Sequence, residues 1–514
     1  MPASDPVFDD ILPEDEPGES AATSRITLVN LPADVTIRRL FMEKLQSELM
    51  GQFAQATLAP IPYYQAHAIG CASERFIRER RMLSGHDKDD AWRQQLKDWG
   101  ADSVIVLPRD AFRAMLDLRT VSARAESVEK VFLPSDSAAP LATPLPTAAA
   151  NGPTIGALAS TGGVKIDWHL DSRGANVVTA WQKFHERDPN ATKLPWQEIL
   201  IGHLDTGYIP HEALAWDSTS TSSTTVLATK GYDYFEQPND PDPRDLWVEQ
   251  GNPGHGTRID GAIAGYDPTD KTHPFYGAAP GVQVIPYRVT ESVLIDHVPS
   301  NMANAIKRAV AEGCHVITIC LGALRGDRQV ARAVDQAYES GVIVVCAAGQ
   351  VWPWVIFPGR FNRVMTVSGI GPGRVPWGSA ACGKYVDWCG PADEIRMLKV
   401  KPNHNGYTTG IDPRIDGNGT SYATAITSGI AAMWLAWHGV EALHAKYTGQ
   451  EWMIPAAFKR LVKSSCAVWP HGPTYLSGYG TGIIDAGALL EMSLPSASDM
   501  TKEAKSDAEF DATH

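Results

Sequence analysis

Three short, almost uninterrupted apolar runs organise the middle of this chain: EILIGHLDTG (198–207), CHVITICLG (314–322) and VIVVCAAG (342–349). Runs of this length without polar alternation are the pattern of strands buried on both faces, as in a parallel sheet. The segments between them change to helical spacing. SNMANAIKRAVAEG predicts a helix capped at Ser300 and stopped at Gly313, and DRQVARAVDQAYESG predicts one ending at Gly341. Strands alternating with helices of this length imply right-handed crossovers, and so an α/β fold with a doubly wound, mostly parallel sheet and helices on both faces. Ligands of such a sheet bind beyond the C-terminal ends of its strands.

The pattern also sets the domain limits. Residues 1–24 are acidic, Pro-broken and poor in apolar surface, and they predict a disordered tail. From Arg25, RITLVNL alternates as a strand, TIRRLFMEKLQSEL has helical spacing and AWRQQLKDWGADSVIVLP reads as a helix feeding a strand. A small α+β domain over 25–133 is expected. Residues 134–165, rich in Pro, Ala, Ser and Thr and without periodicity, form a linker. The α/β domain follows over 166–492, and 493–514 is expected to be a disordered C-terminal tail.

Charge and composition narrow the function. A net charge of -14, from 59 acidic and 45 basic residues, makes nucleic acid a poor partner. The densest basic patch, RERR at 78–81, reads as a solvated helix face. No apolar run reaches the ~18 residues of a membrane span. The acidic start is unlike a secretory leader, so a cytoplasmic protein is expected. Seven cysteines without paired zinc spacing read as reduced structural thiols. The sequons at Asn190 and Asn418 carry no weight in that compartment.

Candidate chemistry falls where the topology wants it. HLDTG delivers Asp205 at the tip of a buried strand, GNPGHGTRIDGAIAG places His255 between glycines at a helix start, and GNGTSYATAITSG sets Ser421 at the head of a long apolar helix. Ser421 by itself reads as well as a helix cap as a nucleophile. With the other two in order, the set fits acyl transfer: an imidazole takes the serine proton, and a carboxylate fixes its tautomer and stabilises the imidazolium. A serine at a helix N-terminus also offers a backbone N–H to a developing oxyanion. Zinc held by His203, His211 and His255 is disfavoured, because their offsets do not converge.

From Trp168 to about Leu490 the chain resembles the subtilisin-like serine peptidases, with DTG, GHGT and GTS in the family's order of acid, base and nucleophile. GAAP (277–280), ITICLGA (317–323), VVCAAGQ (344–350), FPGRFNRVMTVSGI (357–370) and GYGTGIIDAGALL (478–490) match the family's successive strands and turns. The resemblance implies an endopeptidase acting on extended protein or peptide segments, with no cofactor needed for chemistry. It implies that Cys320, Leu321, Gly322 and Ala323 form an edge that pairs with substrate backbone. Ala347, Ala348 and Gly349 would be the opposite wall of the pocket for the residue before the scissile bond. Phe357–Pro358 stands where the family holds a cis proline.

The chain also departs from the family. Gln350 replaces the usual Asn whose amide donates to the oxyanion. It keeps that donor on a side chain one methylene longer, so it is expected to serve with the Ser421 N–H as oxyanion donor, with reduced or substrate-selective activity. SYATA replaces SMASP. Arg258 stands where a second histidine often follows GHGT. A catalytically weak or pseudo-protease that holds peptides is therefore the alternative. The family often binds structural calcium, for which the chain offers scattered loop oxygens such as Asp240, Asp242 and Asp245, with prolines between them and no EF-hand pattern. By position, residues 25–133 are expected to be a propeptide, removed by a cut between 134 and 165, or an attached regulatory domain with its own partner.

Overall fold

A computed structural model of the chain describes residues 25–30, 103–108 and 154–510, apart from short stretches at 160–163, 192, 215–224, 236–241, 246–251, 268–269, 271, 294–298, 324–325, 351–353, 404–405, 412–416 and 471–477. Two compact units result. The first contains β1 (Arg25–Asn30) and β2 (Ser103–Pro108), paired antiparallel with Arg25 opposite Pro108. The rest of the α+β region expected over 25–133, like the tail over 1–24 and most of the linker, lies outside the described residues. The described part of the linker expected over 134–165 is not extended, since Ile155–Ala159 is a helix that buries Ile155 and Leu158.

The second unit is built on a seven-stranded parallel sheet of order β4-β5-β3-β6-β7-β8-β9. In chain order its elements are α1 (Val177–Arg187), β3 (Leu200–Asp205), β4 (Tyr232–Asp233), α2 (His255–Ala264), β5 (Gln283–Arg288), α3 (Pro299–Ala311), β6 (Val316–Ile319), α4 (Arg328–Glu339), β7 (Ile343–Ala347), β8 (Met365–Ile370), β9 (Trp388–Pro391), β10 (Leu398–Asn403), β11 (Gly406–Ile411), α5 (Thr420–His438) and α6 (Met453–Ser465). β10 and β11 form a separate antiparallel hairpin. The three apolar runs are β3, β6 and β7, side by side and buried along nearly their whole length. The chain winds from β3 toward β5 and β4 on one side and toward β6 to β9 on the other. The crevice beyond β3 and β6 is thus the switch point where a ligand belongs.

α5 runs through the centre of this unit, with every residue from Thr420 to Leu435 buried. Such a helix cannot be amphipathic. It packs on β6, β7, β8 and β9 below and on α2 beside it. α4 follows its predicted limits: Asp327 caps it by accepting from the N–H groups of Gln329 and Val330, and Gly341 turns away at φ 84°. Ser300 is not a cap; it is the second helical residue of α3, after Pro299.

The C-terminal tail expected from 493 is in fact packed onto the domain as far as Phe510. Asp335 accepts from the Ser506 and Asp507 N–H groups at 2.9 and 3.1 Å, and buried Arg363 donates to the Glu503 carbonyl at 3.1 and 3.0 Å. Its composition hid this, because the partners are side chains 140 to 172 residues upstream, Asp335 on α4 and Arg363 before β8. Among the described residues no disulfide forms. No described helix is long and apolar enough to cross a membrane.

Candidate active site

Asp205 is the last residue of β3 and turns into a loop that has to pass very close to α2. Gly207 makes the turn at φ 106°. A Cβ on Gly256, the second residue of α2, would lie 2.1 Å from the Gly207 carbonyl oxygen, so only glycine fits there. This approach sets His255 against Asp205. Asp205 Oδ1 accepts from His255 Nδ1 at 2.7 Å and from the Thr206 N–H at 2.8 Å. Asp205 is 1% exposed. Burial opposes its charge, but His255 and the bonds from His203 and His255 hold the carboxyl far below the ordinary carboxylate range. With Nδ1 committed to Asp205, His255 Nε2 carries the lone pair.

Ser421 enters from α5. The helix is capped by Gly419 at φ 146° and begins at Thr420, so Ser421 is its second residue and not its cap. Its N–H is one of the amides a helix leaves without an intrahelical partner. Its Oγ donates to the Cys320 carbonyl at 3.1 Å, and the Cys320 thiol donates back to the Ser421 carbonyl at 3.3 Å. The same thiol faces His203, the neighbour of Asp205 on the inner face of β3. Cys320, the first residue after β6, therefore ties the serine helix to the acid strand.

The model of the subtilase family matches residues 197–480, more than half of the chain. The chain belongs to the subtilase family. It is 28% identical over 188 residues to subtilisin DY of Bacillus licheniformis, covering 36% of this chain and 64% of that protein. It is 25% identical over 240 residues to a thermostable alkaline protease of Halalkalibacterium halodurans, covering 46% of this chain and 57% of that one. The chain thus spans less than two thirds of the length of these relatives. A solved protease structure from Pseudoalteromonas arctica PAMC 21717 shares 23% identity at a TM-score of 0.48, over 63% of this chain and 96% of that one.

In this subtilase the residues expected to pair with substrate are already engaged in part. Gly322 N–H donates to the Val293 carbonyl at 2.9 Å, while Ala323 exchanges both main-chain bonds with Phe357, at 2.8 and 2.9 Å. The edge over Cys320–Ala323 is therefore not the row of unpaired groups expected from the sequence. A substrate strand at Gly322 has to displace Val293. The opposite wall is also fixed: Ala348 N–H donates to Val367 and Gly349 N–H to Thr420 Oγ1 at 3.2 Å. Leu321 is buried beside Cys320, and Ala347 closes β7. Gln350 follows Gly349 directly in the chain. The Phe357–Pro358 bond is cis.

Several supporting residues escaped the sequence reading. Asp245, considered there for calcium, is buried and joins the two motifs: its Oδ2 accepts from Thr206 Oγ1 at 3.0 Å and from the Gly254 N–H at 2.7 Å. Asp242 accepts from the Tyr208 hydroxyl at 3.1 Å and lies 3.1 Å from Arg244; Asp240 is outside the described residues. Arg288, at the end of β5, is 1% exposed and donates to the Thr206 carbonyl at 3.1 Å. Arg258 closes the start of α2 on the Pro253 carbonyl at 3.2 Å. Among the described residues no group of three or more His, Cys, Asp or Glu side chains could hold a metal. His211 accepts from the Ala213 N–H, apart from the other two histidines.

Proposed function

We propose that this subtilase is a serine endopeptidase with Ser421 as nucleophile, His255 as general base and Asp205 as the orienting acid. The observation that carries the reading is the 2.7 Å bond from His255 Nδ1 to a buried, ionised Asp205, which leaves Nε2 as the basic atom. The Ser421 hydroxyl leaves its resting acceptor, the Cys320 carbonyl, and gives its proton to Nε2 as Oγ attacks the scissile carbonyl carbon. The Ser421 N–H is the donor proposed for the resulting oxyanion, with Gln350, next to Gly349 in the chain, as the expected second donor. The imidazolium then returns the proton to the leaving amine. Water, activated by the same imidazole, releases the acyl group. Labelling of the purified chain by a fluorophosphonate, read by intact mass and lost in Ser421→Ala, tests this reading.

Side-chain preference follows from Ile356. A Cβ on Gly322 would meet Ile356 Cδ1 at 2.7 Å, and one on Gly349 would meet Ile356 Cγ1 at 3.0 Å. The Ile356 side chain thus fills the slot between the two backbone walls, and small residues such as Ala are favoured before the scissile bond. Ile356→Gly is expected to raise the Phe-to-Ala ratio of kcat/KM by on the order of 10²-fold. An unchanged ratio in a peptide series varied at that position removes Ile356 from specificity.

A weak or latent enzyme is the second reading, favoured by the occupied Gly322 N–H and by Gln350 at the oxyanion position. Restoring the shorter donor with Gln350→Asn separates the two. Turnover within about threefold of wild type means that Gln350 already donates; a gain on the order of 10²-fold means that it does not. By its place before the domain, and by the composition of 134–165, the region over 25–133 is proposed as a propeptide or regulator. The same intact-mass measurement reads a cut in 134–165. The proposed substrate is an extended protein or peptide segment, and the proposed location is the cytoplasm.

A further inference from the structure

The most unusual group in the domain lies directly behind the triad. His203 stands two residues before Asp205 on β3, so both side chains project from the same face. Its Nδ1 lies 2.7 Å from Asp260 Oδ1 on α2, and its Nε2 lies 3.2 Å from Asp205 Oδ2; these last two atoms are buried and make no other hydrogen bond, so their approach is an ion-pair contact. The side chains of His203, Asp205 and Asp260 are all at most 1% exposed. Two carboxylates and an imidazole therefore share a space closed to bulk solvent, with His255 bonded to the other oxygen of Asp205. Two buried carboxylates this close cannot both keep their charge without a compensating proton.

We propose that His203 and Asp260 are positioning residues for the peptidase reaction: together they hold a proton on His203 Nε2 against Asp205 Oδ2, so that the acid is bound by an imidazole at each of its oxygens. The proposal rests on the triad assigned above. Proton placement makes it independent of how His203 and Asp260 divide their charge. If His203 is an imidazolium and Asp260 a carboxylate, Nε2 carries a proton. If Asp260 is protonated, it donates to Nδ1, and Nε2 again carries the proton. In both forms the pair is neutral, and Asp205 supplies the single net negative charge that stabilises the imidazolium formed on His255 during attack.

The surroundings favour retention of that proton. The titratable groups facing His203 are Asp205 on its own strand, Asp260 on α2 and the Cys320 thiol after β6. Burial opposes protonation of His203, but the Asp260 carboxyl bonded to it, with Asp205 and the Cys320 thiol close by, carries it well above the ordinary imidazole value. Burial pushes the Asp260 carboxyl up and the Cys320 thiol to about 11, so the thiol keeps its proton near neutrality. With its folded value raised, the stabilising share of His203 is complete below its unfolded titration and is lost only as pH rises through the raised value. A purely packing role does not need this arrangement, since buried ionic pairs are often replaced by apolar residues without loss of stability.

The test uses the full chain. His203→Val/Asp260→Ala removes both groups, leaves no orphaned charge, and is expected to fold and to label with fluorophosphonate. Its kcat should fall about tenfold with KM within about twofold, and the acid limb of its kcat/KM profile should move to higher pH, because Asp205 then meets His255 with one oxygen unbound. Unchanged kcat with an unchanged limb overturns the proposal. Asp260→Asn, whose amide can donate to Nδ1 and so keep the proton on Nε2, should retain kcat within about threefold; a loss as large as in the double variant overturns the proton-holding role. A readout apart from activity comes from wild type labelled with ¹⁵N-histidine, His203 being assigned by the resonances that shift in Asp260→Asn. A protonated Nε2 at neutral pH supports the proposal and a bare one overturns it, even if wild type takes no fluorophosphonate. That last result would count against the triad reading alone.

Discussion

Ser421→Ala is expected to abolish both fluorophosphonate labelling and peptide hydrolysis while leaving the fold intact. Oγ makes one internal contact, the bond to the Cys320 carbonyl. That acceptor lies in a crevice where a substrate amide can replace the lost donor, so the cost to stability is about 1 kcal/mol. The cost to turnover is of another order. Without Oγ no acyl-enzyme forms, and the expected fall in kcat is about 10⁶-fold, a magnitude carried over from subtilisin itself and not obtained from this geometry. Intact mass before and after labelling, with a progress curve on an extended peptide, checks it. An adduct on the variant would move the nucleophile elsewhere.

Asp205→Asn has the second-largest expected effect, and the site explains why rotating the amide cannot repair it. Oδ1 receives His255 Nδ1 and the Thr206 N–H, while Oδ2 faces His203 Nε2. An asparagine must turn its NH₂ toward one of these donors. If it faces His255, the imidazole takes the tautomer that leaves Nε2 protonated and unable to act as a base. If it faces His203, the donor behind the acid is opposed instead, and the negative charge is gone in either case. Turnover should fall on the order of 10⁴-fold, with KM little changed. A loss of less than tenfold would show that Asp205 does not orient the base.

The same carboxylate links activity to acid stability. Its folded-state titration lies below the unfolded value, so its contribution is present above the ordinary carboxylate range and is lost as pH falls toward the depressed one. In Asp205→Asn that part of the acid dependence should disappear from a melting-temperature series.

The sequence by itself determined the sheet and pointed to the three residues proposed as the triad. EILIGHLD, CHVITICLG and VIVVCAAG had no other use than as strands buried on both faces, because continuous apolar runs of that length bury nothing stably as single-faced elements. Glycines marked the turn after Asp205 and the helix starts that carry His255 and Ser421, since chemistry needs backbone that can approach closely. Local pattern could say no more than that. It put Ser421 at a cap position, but the start of α5 depends on where Gly419 leaves the hairpin side of the domain, which is a tertiary matter.

The tertiary structure alone decided what surrounds these residues. His203 and Asp260 lie 57 positions apart, and each looks like an ordinary polar residue in an apolar run until β3 and α2 come together. Asp245 looked like a solvated loop acid, and only the approach of Gly207 to Gly256 makes it the bridge between two motifs. Ile356 becomes a plug only because Gly322 and Gly349 converge on it. Residues 493–510, polar by composition, are held by Asp335 and Arg363 from far upstream. Periodicity records how a residue faces its own element. Hydrogen bonds between buried polar groups record which elements meet, and that is set by packing of the whole sheet.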